Sequence, residues 1–133
     1  MRLSTSTSIM DRYQRVQGAV SMEDCMQRCY DAGYRVLDMN FCDMSNPGMP
    51  LAGEDWQSWV EGIAALSAKL GMEFSQSHAH FYNFLNPAIE NRAFHDEMIR
   101  RSCIASGMLG VKWMTVHAAT ETQTKGYSHQ ASK

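Results

Sequence analysis

Three stretches of this chain end in side chains able to move protons or hold a metal: Asp38-Met39-Asn40, Gln76-Ser77-His78 followed by Ala79-His80, and Thr115-Val116-His117. Imidazole changes charge near neutral pH, so His78 and His117 suit general acid or base work, metal ligation, or hydrogen bonds to a sugar hydroxyl or phosphate. Asp38 and Asn40 add a carboxylate and an amide beside them. The competing reading, partly buried histidines satisfied by neighbours, is weighed against placement: both histidines close strand-like runs. His80 belongs to the loop beyond His78, where capping competes with ligand contact. His95 and His129 read as solvated surface, and Glu121 and Lys125 as solvated loop charges within reach of a ligand.

Strand-like and helix-like runs alternate four times along the chain. Residues 2–9 are β-branched and hydroxyl-rich. Ser21-Met-Glu-Asp24 has the pattern of a capped helix start, and Met22, Cys25, Met26, Cys29 and Tyr30 follow at the spacing of one buried stripe, with Gly33 at its end. Residues 35–41 form the second strand, and an Asn, Pro and Gly-rich loop over 45–53 leads to a helix carrying Trp56, Trp59, Val60, Ile63 and Leu70 before Gly71. Residues 72–78 are the third strand. Asn86-Pro87 reads as the start of a long third helix, with Phe94, Met98 and Ile99 towards the core, running to Gly107–Gly110. Residues 111–117 are the fourth strand, and Ser128 is a candidate start for a fourth helix.

Strand starts at 2, 35, 72 and 111 repeat every 33 to 39 residues, the size of a βα unit. Such alternation implies an α/β fold with a parallel sheet wrapped by helices, either open or part of a closed barrel. Function in these sheets gathers at the carboxyl ends of the strands, where the polar stretches lie. If Leu37, Met39, Met114 and Val116 face the helices, then Asp38, Asn40, Gln76, His78, Thr115 and His117 face the opposite, inner side. After the first strand Ser6-Thr7-Ser8-Ile9 offers no glycine fingerprint, and no phosphate-binding loop of the Walker type is present.

Composition narrows the function classes further. The chain has 133 residues, 44% apolar and 20% charged, with 12 basic against 14 acidic residues and a formal charge of −2. High apolar content with low net charge argues against disorder, and the near-neutral balance removes the broad basic field of non-specific nucleic-acid binding. No window approaches the ~18–20 apolar residues of a membrane span, and the hydroxyl-rich start lacks a signal peptide's apolar core. A cytoplasmic protein with neither a nucleic-acid nor a membrane partner is expected. Cys25, Cys29, Cys42 and Cys103 show no metal-like spacing and read as reduced core thiols. The methionines, 11 in all, read as adaptable core filling.

Asp31-Ala-Gly-Tyr-Arg-Val-Leu-Asp38, Leu70-Gly-Met-Glu-Phe before Ser77-His-Ala-His-Phe81, and Leu109-Gly-Val-Lys-Trp-Met-Thr-Val-His117 together carry a resemblance. In order and spacing the chain resembles the amino-terminal half of the xylose-isomerase-like TIM-barrel superfamily, which includes sugar phosphate isomerases and epimerases, inosose dehydratase and endonuclease IV. The resemblance implies the first four units of a (β/α)8 barrel. It also implies an enzyme using a divalent metal ion (Mn, Mg, Co or Zn) to isomerise, epimerise or dehydrate a sugar or cyclitol. His78 and His117 match histidines that ligate zinc in the endonuclease branch. In the sugar branch, which the low basic charge favours, that region shapes the pocket, so Asp38, Asn40, His78, His80 and His117 are the implied substrate contacts. Asp38 stands where many members have Glu. The superfamily's usual Glu/Asp/His/Glu metal set comes from strands five to eight, which this chain does not contain.

A closed barrel takes about 250 residues. The 133 residues are therefore expected to be a partial sequence, inactive alone, with the first and fourth strands as open edges prone to self-association. The alternatives are a zinc phosphodiesterase of the endonuclease type and a non-catalytic half-barrel binding module that dimerises. A reading frame continuing into four more strands ending in Glu, Asp, His and Glu favours the enzyme; a stop codon after Lys133 favours the module.

Overall fold

The first long helix starts where its sequence says it should. Ser21 accepts a hydrogen bond on Oγ from the Asp24 N–H at 3.1 Å, and the stripe Met22, Cys25, Met26 and Cys29 is buried. In the computed structural model, which describes residues 3–10, 20–84 and 86–117, this helix is α1 (Met22–Asp31). It is followed by a short α2 (Phe41–Met44), α3 (Trp56–Leu70) and α4 (Arg92–Met108). Gly71 ends α3 with a left-handed φ of 61°, a conformation costly for residues bearing a Cβ. Single 3-10 turns cover Thr7–Met10 and Pro50–Ala52.

Strands β1 (Ser4–Ser6), β2 (Val36–Asn40), β3 (Glu73–His78) and β4 (Met114–Thr115) form one parallel sheet in the order β1-β2-β3-β4. Each lies inside its expected stretch and is shorter at one end or both. On the helix side, Leu37 and Met39 are fully buried with Met26, Phe41, Leu51 and Ile63, and this single cluster is the core. Methionine fills much of it, as expected.

The register of β3 against β2 shifts by one residue. Leu37 pairs with Phe74, but Asp38 pairs with Gln76, so Ser75 is an extra residue on β3. Strict alternation would put Phe74, Gln76 and His78 on one face. The bulge lets Phe74 and Ser77 both sink towards the helices while Gln76 and His78 stay with Asp38 and Asn40.

Several expectations need correction. Asn86 does not start the third long helix: its side chain accepts from the Ala88 N–H at 3.0 Å in a local turn, and α4 begins at Arg92 behind Asn91. Nor is the buried stripe of α4 apolar throughout. Met98 and Ala105 share it with Ser102 and Ser106, whose hydroxyls bond back to Met98 O and Ser102 O at 2.7 and 2.8 Å, while Phe94 and Ile99 are only partly buried. Ser106 also meets Ser77 Oγ at 2.7 Å, so small hydroxyl residues bring helix and sheet close together. Cys25, Cys29, Cys42 and Cys103 are all free thiols, but Cys103 is exposed rather than core. Val116, expected against the helices, is 45% exposed, and Trp113 beside β4 is 76% exposed. Among the described residues no helix is long and apolar enough to cross a membrane. Glu121, Lys125, Ser128 and His129 lie outside the described residues.

Candidate functional site

At the carboxyl end of the sheet, the inner face gathers Asp38, Gln76, His78 and His117. The Gln76 amide donates to Asp38 Oδ2 at 2.9 Å, and His78 Nε2 lies 3.2 Å from the same oxygen. The carboxylate is nearly buried, with its side chain 12% exposed, whereas the His78 side chain is 30% exposed and open to a ligand. Asp38 Oδ1 is buried with no hydrogen-bond partner among the described residues, an unsatisfied acceptor next to the paired oxygen. The His117 ring stacks on His78 with centroids 5.8 Å apart and planes within 19°. Phe81 also meets His117, in a T-shaped arrangement with centroids 5.7 Å apart.

A carboxylate facing Nε2 favours a proton there, which leaves the lone pair of a neutral His78 ring on Nδ1. That is how an acid residue orients an imidazole for proton transfer: it selects the tautomer and stabilises the cation once Nδ1 takes a proton. Strand-end placement put Asp38, His78 and His117 on the same inner face; that Asp38 pairs with His78 is seen in the structure, and the pairing of β3 with β4 brings His117 near His78.

The other two residues expected at the site are occupied elsewhere. Asn40 starts α2: its Oδ1 accepts from the Cys42 N–H at 3.0 Å, its Nδ2 donates to Asp43 at 3.3 Å, and its own N–H donates to Thr7 Oγ1 at 2.9 Å. His80 turns behind the sheet and is 4% exposed. Its N–H donates to Ser102 Oγ at 3.1 Å, its Nδ1 lies 2.6 Å from Ser45 Oγ, and its Nε2 lies 2.7 Å from His95 Nδ1. The Ser45 hydroxyl proton goes to Cys42 O at 3.0 Å. His80 must then donate from Nδ1 to Ser45 and accept on Nε2 from His95, which makes one directed chain of hydrogen bonds. His95 is thus part of this cluster, stacked on His80 at 5.1 Å and on Tyr82 at 5.0 Å, and not the solvated surface residue its helical position suggested. Tyr82 in turn donates to Asp96 on the same helix. Ser45, Phe81 and His95 carried no sequence signal of their own, because their roles arise where separate elements meet.

Burial, and after it the neighbouring His95, pushes the His80 imidazole down to about 4 from 6.5. In the unfolded chain the ring titrates near 6.5, so between pH 6.5 and about 4 the unfolded state binds a proton that the folded state does not. The stability associated with neutral His80 is complete above pH 6.5, falls as pH drops, and levels off below about 4. At about 1.4 kcal/mol per pKa unit the loss reaches at most about 3 kcal/mol. Urea unfolding at pH 7.5 and pH 5 is expected to show this slope, and His80→Gln to flatten it; an unchanged slope in the variant assigns the effect to other groups.

Among the described residues no set of three or more His, Cys, Asp or Glu is placed to hold a metal ion. His78 Nε2 already faces Asp38, and near-parallel stacked rings do not aim their in-plane lone pairs at one point. These residues therefore do not by themselves make the divalent site that the resemblance implies.

No protein-family model and no curated protein matches the chain. Among solved structures, the probable 3-DHS dehydratase AsbF from Bacillus anthracis, described as involved in petrobactin synthesis, matches 87% of this chain at 12% identity with a TM-score of 0.56. The chain spans 38% of that protein's length. At that identity the likeness speaks for the fold: four parallel strands alternating with helices, arranged as in part of a TIM barrel.

Proposed function

We propose that this chain forms one wall of the pocket of an enzyme that isomerises, epimerises or dehydrates a sugar or cyclitol. The observation that carries the proposal is the Asp38–His78 pair, open on the inner face at the carboxyl ends of parallel strands, with His117 stacked on it. Each of the three can proceed by taking a proton from carbon next to a carbonyl. A half-exposed imidazole held by a buried carboxylate suits that step, with His78 Nδ1 as the base and Asp38 stabilising the imidazolium. His117 offers a second ring nitrogen to a substrate hydroxyl, and the unsatisfied Asp38 Oδ1 is an acceptor that small movements of the site can present to another. The structural neighbour, a probable 3-DHS dehydratase, supports this class of chemistry. The divalent ion implied by the resemblance is assigned to none of the described residues.

Turnover of a panel of keto-sugars, sugar phosphates and cyclitols by the intact enzyme tests the proposal. Within it, His117→Ala is expected to weaken substrate binding about 3- to 10-fold, the size of one lost hydrogen bond, with unfolding unchanged. If no member of the panel is bound or converted, the proposed class is wrong. If one is, but His117→Ala leaves KM and kcat as they were, His117 is only packing.

A further inference from the structure

His78 and His117 come from adjacent strands, yet nothing in β4 itself fixes the His117 ring, because the strand ends at Thr115 and His117 is exposed. The loop after β3 supplies the missing constraint. Ala79 N–H donates to Thr115 O at 3.0 Å, which ties the start of the loop to β4, and Cys42 Sγ donates to Ala79 O at 2.9 Å. The next residue, His80, is bonded through its N–H to α4 and through its two ring nitrogens to Ser45 and His95. With His80 committed behind the sheet, Phe81 emerges on the inner side, where its ring abuts His117 at 77°. His117 is thereby in ring contact with both Phe81 and His78.

We infer that His80 is a positioning residue whose hydrogen bonds behind the sheet seat Phe81 against His117 and hold the His117 ring stacked on His78. This role rests on the proposed function only in that it gives the stack a purpose; the stack itself is observable without any ligand. It also replaces direct substrate contact by His80, since its ring and its N–H are all occupied at 4% exposure. An edge-on phenyl ring adds a favourable aromatic contact that an aliphatic side chain of similar size lacks.

The test is nuclear magnetic resonance of the histidine ring protons in the full chain, with His78 and His117 assigned by single substitution. The wild type is expected to show a cross-relaxation peak between the two rings and an upfield ring-current displacement of the His117 protons. Phe81→Leu is expected to abolish the peak and return His117 to the position of a free imidazole, while Phe81→Tyr restores both. His80→Gln is expected to act like Phe81→Leu with backbone amide dispersion retained. Should that variant not fold, Ser45→Ala and His95→Gln remove the ring's partners one at a time, and each is expected to weaken the peak. An intact peak in Phe81→Leu overturns the inference. So does an intact peak in folded His80→Gln, or in both partner variants if His80→Gln does not fold. These readouts need no substrate: a correct stack in a protein that converts no sugar refutes the proposed function alone, and an unresponsive stack in an active enzyme refutes this inference alone.

Discussion

For the proposed sugar or cyclitol enzyme, His78→Gln is expected to lower turnover by ~10²- to 10⁴-fold, the range contributed by one positioned acid or base. Glutamine keeps a donor facing Asp38 Oδ2, which also retains its bond from the Gln76 amide, so the fold is expected to hold. What disappears is the imidazole that Asp38 orients for taking and returning a proton. The measurement is kcat and KM on whichever sugar or cyclitol the panel identifies, together with the pH profile of kcat/KM. Loss of kcat with little change in KM marks His78 as a group acting in the transition state. Asp38→Asn is expected to cost less, because it removes the charge that stabilises the imidazolium but leaves the imidazole. If His78→Gln retains turnover within a few-fold of the parent, the proton is moved by another group and the Asp38–His78 pair is structural.

Phe41→Ala is expected to cost about 3–5 kcal/mol of folding stability, the range for emptying a fully buried phenylalanine site. Phe41 has no exposed surface and lies in the cluster that joins β2 to the helices. Helix α2 is too short to hold itself together, so it depends on burial of Phe41 and Met44 and on the Asn40 cap. Domains of this size are commonly stable by only about 5–15 kcal/mol, so such a loss removes much of the total. The end of β2 is expected to suffer with it, because Asn40 precedes Phe41 and its N–H holds Thr7. Urea unfolding checks the magnitude, and Phe41→Leu is expected to cost roughly half as much or less. A Phe41→Ala protein within about 1 kcal/mol of the parent means that the surroundings collapse onto the void.

Much of the architecture was legible in sequence because local signals agreed with one another. Ser21 and the stripe from Met22 to Cys29 marked α1, and the spacing of Trp56, Val60 and Ile63 with Gly71 behind it marked α3. The start of α4 was misread because Asn86-Pro87 carries the chemistry of a helix cap, yet its side chain closes a turn of its own first. Its buried face was misread because Ser102 and Ser106 do not register as apolar, although they satisfy their hydroxyls within the helix and so pack as small residues. Strand-end placement, which needs only the βα repeat, singled out Asp38, His78 and His117, and the structure brings these three together on the inner face. His80 joined them through the resemblance, as a loop residue just beyond His78, but its partners on α4 and after α2 draw it to the other side.

The single unpaired residue in β3 also bears on how this strand tolerates changes in length. Between Phe74 and His78 the ladder to β2 has places for two residues and the chain supplies three. Ser75 is therefore spare: a relative lacking it reaches His78 by plain alternation, with Gln76 still opposite Asp38 and Ser77 still towards the helices. Losing Ser77 instead would turn the Gln76 amide into the helix layer, where Ser77 is now fully buried. Alignments that place a gap in this strand should place it at Ser75, and the histidine beyond it then falls into register without any gap elsewhere.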